Sequence, residues 1–234
     1  MPESPLRDHL SCVIFDIDGT LARSNDLVFA SFNHVAEKYL GKRLSDKEII
    51  ALFGPPEEGG LRRLLDERLV PGALEELYEF YESKHAAMAS LHDGIEDLLK
   101  LLSRNGIRLA AFTGKGRKTA TITLEQLGII GYFDVLMSGS DVEMHKPHPE
   151  GILRILEEVE VSSEHSLMVG DSVSDVRSSR AAGVASASVL WDCYDREAVI
   201  RENPDYRFET VSGLKEWLAD RIARTSRVDQ RKDH

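Results

Sequence analysis

Apolar positions along the chain follow two different rhythms. Cys12-Val13-Ile14-Phe15 is an unbroken apolar run, which predicts a strand buried on both faces, as in a parallel sheet. Past Leu21 the spacing becomes helical: Val28, Phe32, Val35 and Tyr39 recur at i, i+4, i+7 and i+11, with Gly41 placed as a C-cap. A short helix is predicted over 45–53, Ser45 and Glu48 having capping-box spacing, and Gly54-Pro55-Pro56 breaks it. Further helices are expected over 61–69 and 74–88, with no strand between Leu21 and about Ser90.

From Asp93 helices and strands alternate. Ile95, Leu98, Leu99 and Leu102 mark a helix ended by Asn105-Gly106, followed by a strand over 108–112. A helix over 119–127 precedes a strand over 133–137. Ile152, Ile155, Leu156 and Val159 mark the next helix, before a strand over 167–169. A last pair is expected at 176–182 and 185–190. This alternation predicts an α/β fold with a parallel sheet, covered on both faces and joined by right-handed crossovers. A helical section is inserted after the first strand.

With 234 residues the chain suits one large domain or two smaller ones. A formal net charge of −11 disfavours nucleic acid and anionic membranes as partners. A phosphate substrate would then need local cations. Cys12 and Cys193 have neither metal nor redox spacing, and Cys12 reads as a core residue. Met1-Pro2-Glu3-Ser4-Pro5 lacks an apolar signal core and no run reaches spanning length, so a cytoplasmic protein is expected. The polar tail from about Arg224 is expected to fray.

Four predicted strand ends carry chemistry. The first delivers Asp16 and Asp18 into a Gly19-Thr20 turn; desolvating two such neighbours is costly unless a cation or shared proton compensates. The second ends in Thr113-Gly114-Lys115, a hydroxyl and backbone N–H groups at a helix N-terminus, suited to an anion. After the third comes Lys146, held extended by Pro147. The fourth yields Asp171 and Asp175 at i and i+4.

In these residues, over about 10–220, the chain resembles the haloacid dehalogenase-like hydrolases, and among them the phosphoglycolate phosphatase-like enzymes. The resemblance implies a Rossmann-like core over 1–21 and 91–234, an α-helical cap over 22–90, and Mg²⁺ dependence. It implies that Asp16 is the nucleophile and becomes an aspartyl phosphate. Asp18 would protonate the leaving oxygen and then activate water. Thr113, the Gly114 amide and Lys146 would hold the phosphoryl oxygens. Asp16, the Asp18 carbonyl and Asp171 would ligate Mg²⁺, with Asp175 outside them or bound through water. The implied reaction is hydrolysis of a small phosphorylated metabolite, phosphoglycolate first, with pyrophosphate or a nucleoside monophosphate behind. Alternatives are a phosphosugar mutase of the same superfamily or, in another class, a phosphoacceptor signalling receiver. The residues leave the oligomeric state open.

Other features read as ordinary structure. Lys115-Gly116-Arg117-Lys118 lacks the P-loop pattern and reads as a solvated helix start. His145 and His148 read as loop residues, His85 and His92 as solvent or hinge residues, Trp191 and Trp217 as packing aromatics. Gly54-Pro55-Pro56 resembles a cap segment of the phosphoglycolate phosphatase-like sequences, although Glu57 and Glu58 would repel an anionic leaving group. Arg62 and Arg63 read as an exposed helix face, and Asn25 and Asp26 lie at the expected hinge.

Overall fold

The computed structural model describes residues 6, 7 and 9–232, with the backbone alone over 225–232; residues 1–5, read for a signal core, lie outside it. The chain begins with β1 (Cys12–Phe15) and β2 (Ala22–Arg23), then runs through α1 (Asn25–Leu40), α2 (Asp46–Ile50), α3 (Glu57–Leu64) and α4 (Val70–Met88) to β3 (Ser90–Leu91). Next come α5 (Ile95–Arg104), β4 (Arg108–Phe112), α6 (Arg117–Gln126), β5 (Val135–Met137) and α7 (Glu150–Val159). The remainder is β6 (Ser166–Gly170), α8 (Val173–Ala181), β7 (Ala185–Val189), α9 (Arg196–Arg201), β8 (Tyr206–Phe208) and α10 (Val211–Lys232).

The α/β reading holds: the main sheet has the order β5-β4-β1-β6-β7-β8, and every pairing in it is parallel. Register places Phe15 opposite Ala111 and Val169, so β1, β4 and β6 end level with one another. The apolar run of β1 is continuous because both faces are covered. Val13 and Phe15 join a core containing Leu98, Leu102, Leu214 and Leu218, while Cys12 and Ile14 pack with Phe112, Ile152, Ile155 and Met168. Burial pushes the Cys12 thiol up to about 12, consistent with its reading as an inert core residue.

Helices α1 to α4 pack around their own apolar group, including Phe32, Val35, Leu61 and Leu77. The capping box of Ser45 and Glu48 is present. Gly41 takes the left-handed conformation at φ 65° after α1, where a side chain would be strained. The ends of this helical section meet in the antiparallel pair β2–β3.

Several boundaries differ from the sequence reading. β2 and β3 are two residues each, too short to show a period, and β8 is a half-exposed edge strand; none was expected. The helix expected over 61–69 starts earlier, at Glu57, and ends at Leu64; a single 3₁₀ turn with Asp66 as its cap covers Glu67–Leu69. α4 starts at Val70 with Pro71 in its first turn, where a missing N–H costs nothing. The tail expected to fray from Arg224 continues α10 to Lys232. Among the described residues no helix is long and apolar enough to cross a membrane.

Candidate active site

Because β1 and β6 are neighbours in register, the acids that follow them converge. Asp16, Asp171 and Asp175 each offer a carboxylate oxygen within 4.8 Å of the others. Lys146 reaches them from the loop before α7; its Nζ lies 2.8 Å from Asp16 Oδ1, 2.7 Å from Asp175 Oδ1 and 2.7 Å from the Phe112 carbonyl. Its peptide bond to Pro147 is cis. Asp171 is buried and accepts a hydrogen bond from Thr20 Oγ1 at 3.3 Å. Asp175 also belongs to the α8 cap: its Oδ2 accepts from Ser172 N at 3.1 Å and Ser172 Oγ at 2.6 Å.

The electrostatics of this group are unbalanced. Burial pushes Asp16 up to about 7, with Lys146 opposing the shift and Asp175 adding to it. Burial likewise holds Asp171 well above the usual carboxylate range, with Asp16 and Asp175 adding repulsion. For Lys146 burial works against the ammonium, but Asp16 and Asp175 outweigh it and its proton is held more tightly than usual. One ammonium against three crowded carboxylates leaves surplus negative charge on hard oxygen donors. That donor set fits a divalent cation of the Mg²⁺ type. The backbone makes room for it. A Cβ on Gly170 would stand 2.4 Å from Asp175 Cγ, and one on Gly19, at φ +75°, would stand 2.5 Å from Asp171 Oδ2.

Asp18 faces elsewhere. Its carboxylate accepts from Ser24 Oγ and pairs with Lys115 Nζ at 3.1 Å, so any share in holding a cation falls to its backbone carbonyl. Lys115 corrects the sequence reading. Instead of a solvated helix start it is a buried cation, its side chain 7% exposed, and it donates to the Tyr81 hydroxyl of α4 at 2.6 Å. Burial opposes its charge, but Asp18 and Tyr81 reverse that and the ammonium is held above its ordinary value. Its cue in the sequence was position alone: it follows the Thr113-Gly114 strand end directly.

Thr113 is buried at the end of β4 and accepts from Lys115 N at 3.2 Å. Thr113 and Gly114 line a cavity of about 500 Å³ together with Asp16, Asp18, Lys146 and Asp171. The expected site residues thus surround one space, with the Asp175 carboxylate just behind it. Glu57 lies at the cavity, as its place after Gly54-Pro55-Pro56 suggested, and it has a structural role as well. It is buried, accepts from Gly116 N at 2.8 Å and from Thr119 Oγ1, and so caps α6 from across the chain. His85 and His92 are buried rather than solvent-exposed. His92 does sit at the β2–β3 junction, its N–H bonding the Leu21 carbonyl at 3.1 Å and its Nδ1 accepting from Arg23 at 3.2 Å. Arg62 and Arg63 are exposed and hold Glu58, Glu67 and the Ala51 carbonyl.

Comparison with known proteins follows the same lines. The family model described as haloacid dehalogenase-like hydrolase matches residues 13–189. A protein of Caldanaerobacter subterraneus assigned as pyrophosphatase PpaX is 35% identical over 202 residues, 86% of this chain and 91% of the relative. A solved Haemophilus somnus structure assigned as a phosphoglycolate phosphatase has a TM-score of 0.80 at 20% identity, covering 89% of this chain and 98% of its own; that match speaks to the fold. A Thermotoga maritima structure assigned as a β-phosphoglucomutase is 28% identical with a TM-score of 0.70, over 88% of this chain and 99% of its own. A parallel sheet in this order, acids converging beyond its strand ends and a family match over most of the length lead to one conclusion: this chain belongs to the haloacid dehalogenase-like hydrolases.

Proposed function

We propose that this protein is a Mg²⁺-dependent phosphatase that hydrolyses a small phosphomonoester through an aspartyl phosphate on Asp16. The observation that carries this reading is the contact of Lys146 Nζ with Asp16 Oδ1 at 2.8 Å inside a group of three crowded carboxylates, two of them buried. Phosphoryl transfer requires alignment and charge neutralisation more than difficult bond chemistry. A phosphate dianion cannot approach Asp16 unless the surrounding negative charge is offset. Asp16, Asp171, the Asp18 carbonyl and, directly or through water, Asp175 would hold the ion. When bound, Mg²⁺ supplies Lewis acidity toward the phosphoryl oxygens and neutralises the carboxylates.

The chain's own residues account for the rest. Lys146 and Thr113 Oγ1, with the Gly114 N–H, hold the phosphoryl oxygens while Asp16 Oδ attacks phosphorus. The bond from phosphorus to the leaving oxygen breaks, and that oxygen takes the proton of Asp18. Asp18 then removes a proton from water, whose oxygen attacks phosphorus and breaks the bond to Asp16, releasing inorganic phosphate. Residues 22–90 act as a cap, the 1–21 and 91–234 segments as the core. Glu57 and Tyr81 reach the start of α6 from the cap and tie the two parts together.

The test is release of inorganic phosphate from a panel of phosphorylated metabolites, with Mg²⁺ or with excess chelator, by the native protein and by Asp16→Asn. Release that needs Mg²⁺ and vanishes in Asp16→Asn is expected; release indifferent to both overturns the reading. Similarity to the Thermotoga protein supports a second reading, a sugar-phosphate mutase, which the same panel exposes as an isomeric sugar phosphate without free phosphate.

A further inference from the structure

We infer that the leaving group is an uncharged alcohol or phenol with an apolar body, so that the substrate class is aryl or arylalkyl phosphomonoesters rather than phosphoglycolate or pyrophosphate. This inference rests on the phosphatase reading of the site and concerns the half of the cavity beyond the phosphoryl group. There the wall is built from Val28, Phe32, Ile50, Leu52 and Phe53 of the helical insertion, with Tyr194 opposite. Ile50, Phe53 and Tyr194 are three of the eight large apolar or aromatic side chains left exposed on the described surface. Their gathering at one opening marks a binding surface. Phe29 stacks on Phe53 at 6.1 Å and on Tyr194 at 5.5 Å, both at 28°, which fixes an aromatic rim across the opening.

Charge points the same way. The insertion contributes no lysine, arginine or histidine to the lining; its one charged contributor is Glu57, and Asn25 adds a neutral donor whose buried Nδ2 has no partner. Around the whole cavity five carboxyl groups face three cations, a surplus of acids that persists with Asp18 protonated as the proton donor, and each cation is already engaged: Lys115 with Asp18, Lys146 with Asp16 and Asp175, Arg177 with Glu202. A dication and a phosphate dianion cancel each other and leave that negative surplus in place. A leaving group carrying a carboxylate or a second phosphate would meet that surplus against a mostly apolar wall, which offers it no cation in return. The arginines nearest in sequence to the Gly54-Pro55-Pro56 turn, Arg62 and Arg63, hold groups on the exposed side of the insertion. Size agrees as well, since a cavity of about 500 Å³ is far larger than a glycolate needs.

The experiment compares kcat/KM for 2-phenylethyl phosphate, 2-phosphoglycolate and pyrophosphate with saturating Mg²⁺. The first two release alcohols of similar acidity, so their ratio reports recognition more than intrinsic reactivity. Burial of a phenyl ring predicts a preference for 2-phenylethyl phosphate on the order of 10- to 100-fold. Phe53→Ala and, independently, Ile50→Ala should each lower that ratio several-fold, both positions being exposed enough to be truncated without collapse of the fold. Equal or faster turnover of phosphoglycolate or pyrophosphate overturns the inference and leaves the phosphatase reading standing. A ratio unmoved in both variants overturns it too. No phosphate from any of the three, nor from the wider metabolite panel, removes the phosphatase reading itself.

Discussion

Lys115 Nζ stands 3.1 Å from Asp18 Oδ1, although the two residues are 97 positions apart. The same ammonium donates to Tyr81 at 2.6 Å and lies 4.4 Å from the centroid of its ring. One side chain therefore connects the acid that follows β1, the strand end of β4 and the longest helix of the insertion. The proposed proton donor is held in place by a cation that itself depends on how the insertion docks.

Replacing Lys115 by Met should leave the Asp18 carboxylate, 19% exposed, without its cation. Breaking a pair this buried costs about 3 kcal/mol of stability. Tyr81→Phe keeps the ring and loses the hydroxyl bonds to Lys115 and Thr123, a cost of about 1 kcal/mol. Urea denaturation of both variants measures the two losses, and equal stability of Lys115→Met and the native protein would contradict the account.

Asp16→Asn should lower turnover by more than about a thousandfold, since an amide does not attack phosphorus. In the absence of Mg²⁺ the same variant should be the more stable protein near neutral pH, because a carboxylate crowded by Asp171 and Asp175 has been neutralised. Thermal unfolding in chelator decides this point separately from activity.

The pH dependence of the metal-free protein follows with a definite sign. Asp16 is raised from 3.8 to about 7, so within that window the native state keeps a proton that the unfolded chain has released. Stability attributable to Asp16 is then present below the window and falls as pH rises through it. The melting-temperature difference between the native protein and Asp16→Asn should widen in the variant's favour toward about pH 7. Mg²⁺ binds the deprotonated carboxylates, so its addition should raise the native melting temperature most at the upper end and release protons. A stabilisation by Mg²⁺ that is independent of pH would exclude this linkage.

Glu57→Ala should remove the carboxylate that caps α6 from the insertion. A cap of this kind contributes about 1 kcal/mol. Hydrogen exchange at the Gly116 amide, now without its acceptor, should quicken together with the β2–β3 pair, where the insertion joins the core. Protection unchanged at Gly116 would show that the cap contributes nothing to docking.

Much of the protein was legible in the order of its residues. The apolar run of β1, the alternation after Asp93, the Ser45–Glu48 box and the Gly41 cap are local, because backbone geometry converts spacing along a chain directly into a face or an end. Asp16, Asp18, Thr113 and Asp171 stood out for the same reason, each lying just past a strand that could be recognised alone, while Lys146 stood out by its Pro147 neighbour and Asp175 by its spacing from Asp171. Three things were decided only by folding. β2, β3 and β8 exist because partners elsewhere complete them, and two-residue strands or a half-exposed three-residue edge strand carry too little pattern to announce themselves. Lys115 looked like an exposed charge, and the capping role of Glu57 was invisible, since nothing near them in sequence reveals that α4 covers one and α6 receives the other. The surplus of negative charge among Asp16, Asp171 and Asp175, and the apolar wall facing it, arise from distances between segments more than a hundred residues apart. Burial and Coulomb repulsion depend on such distances in space, and no count along the chain contains them.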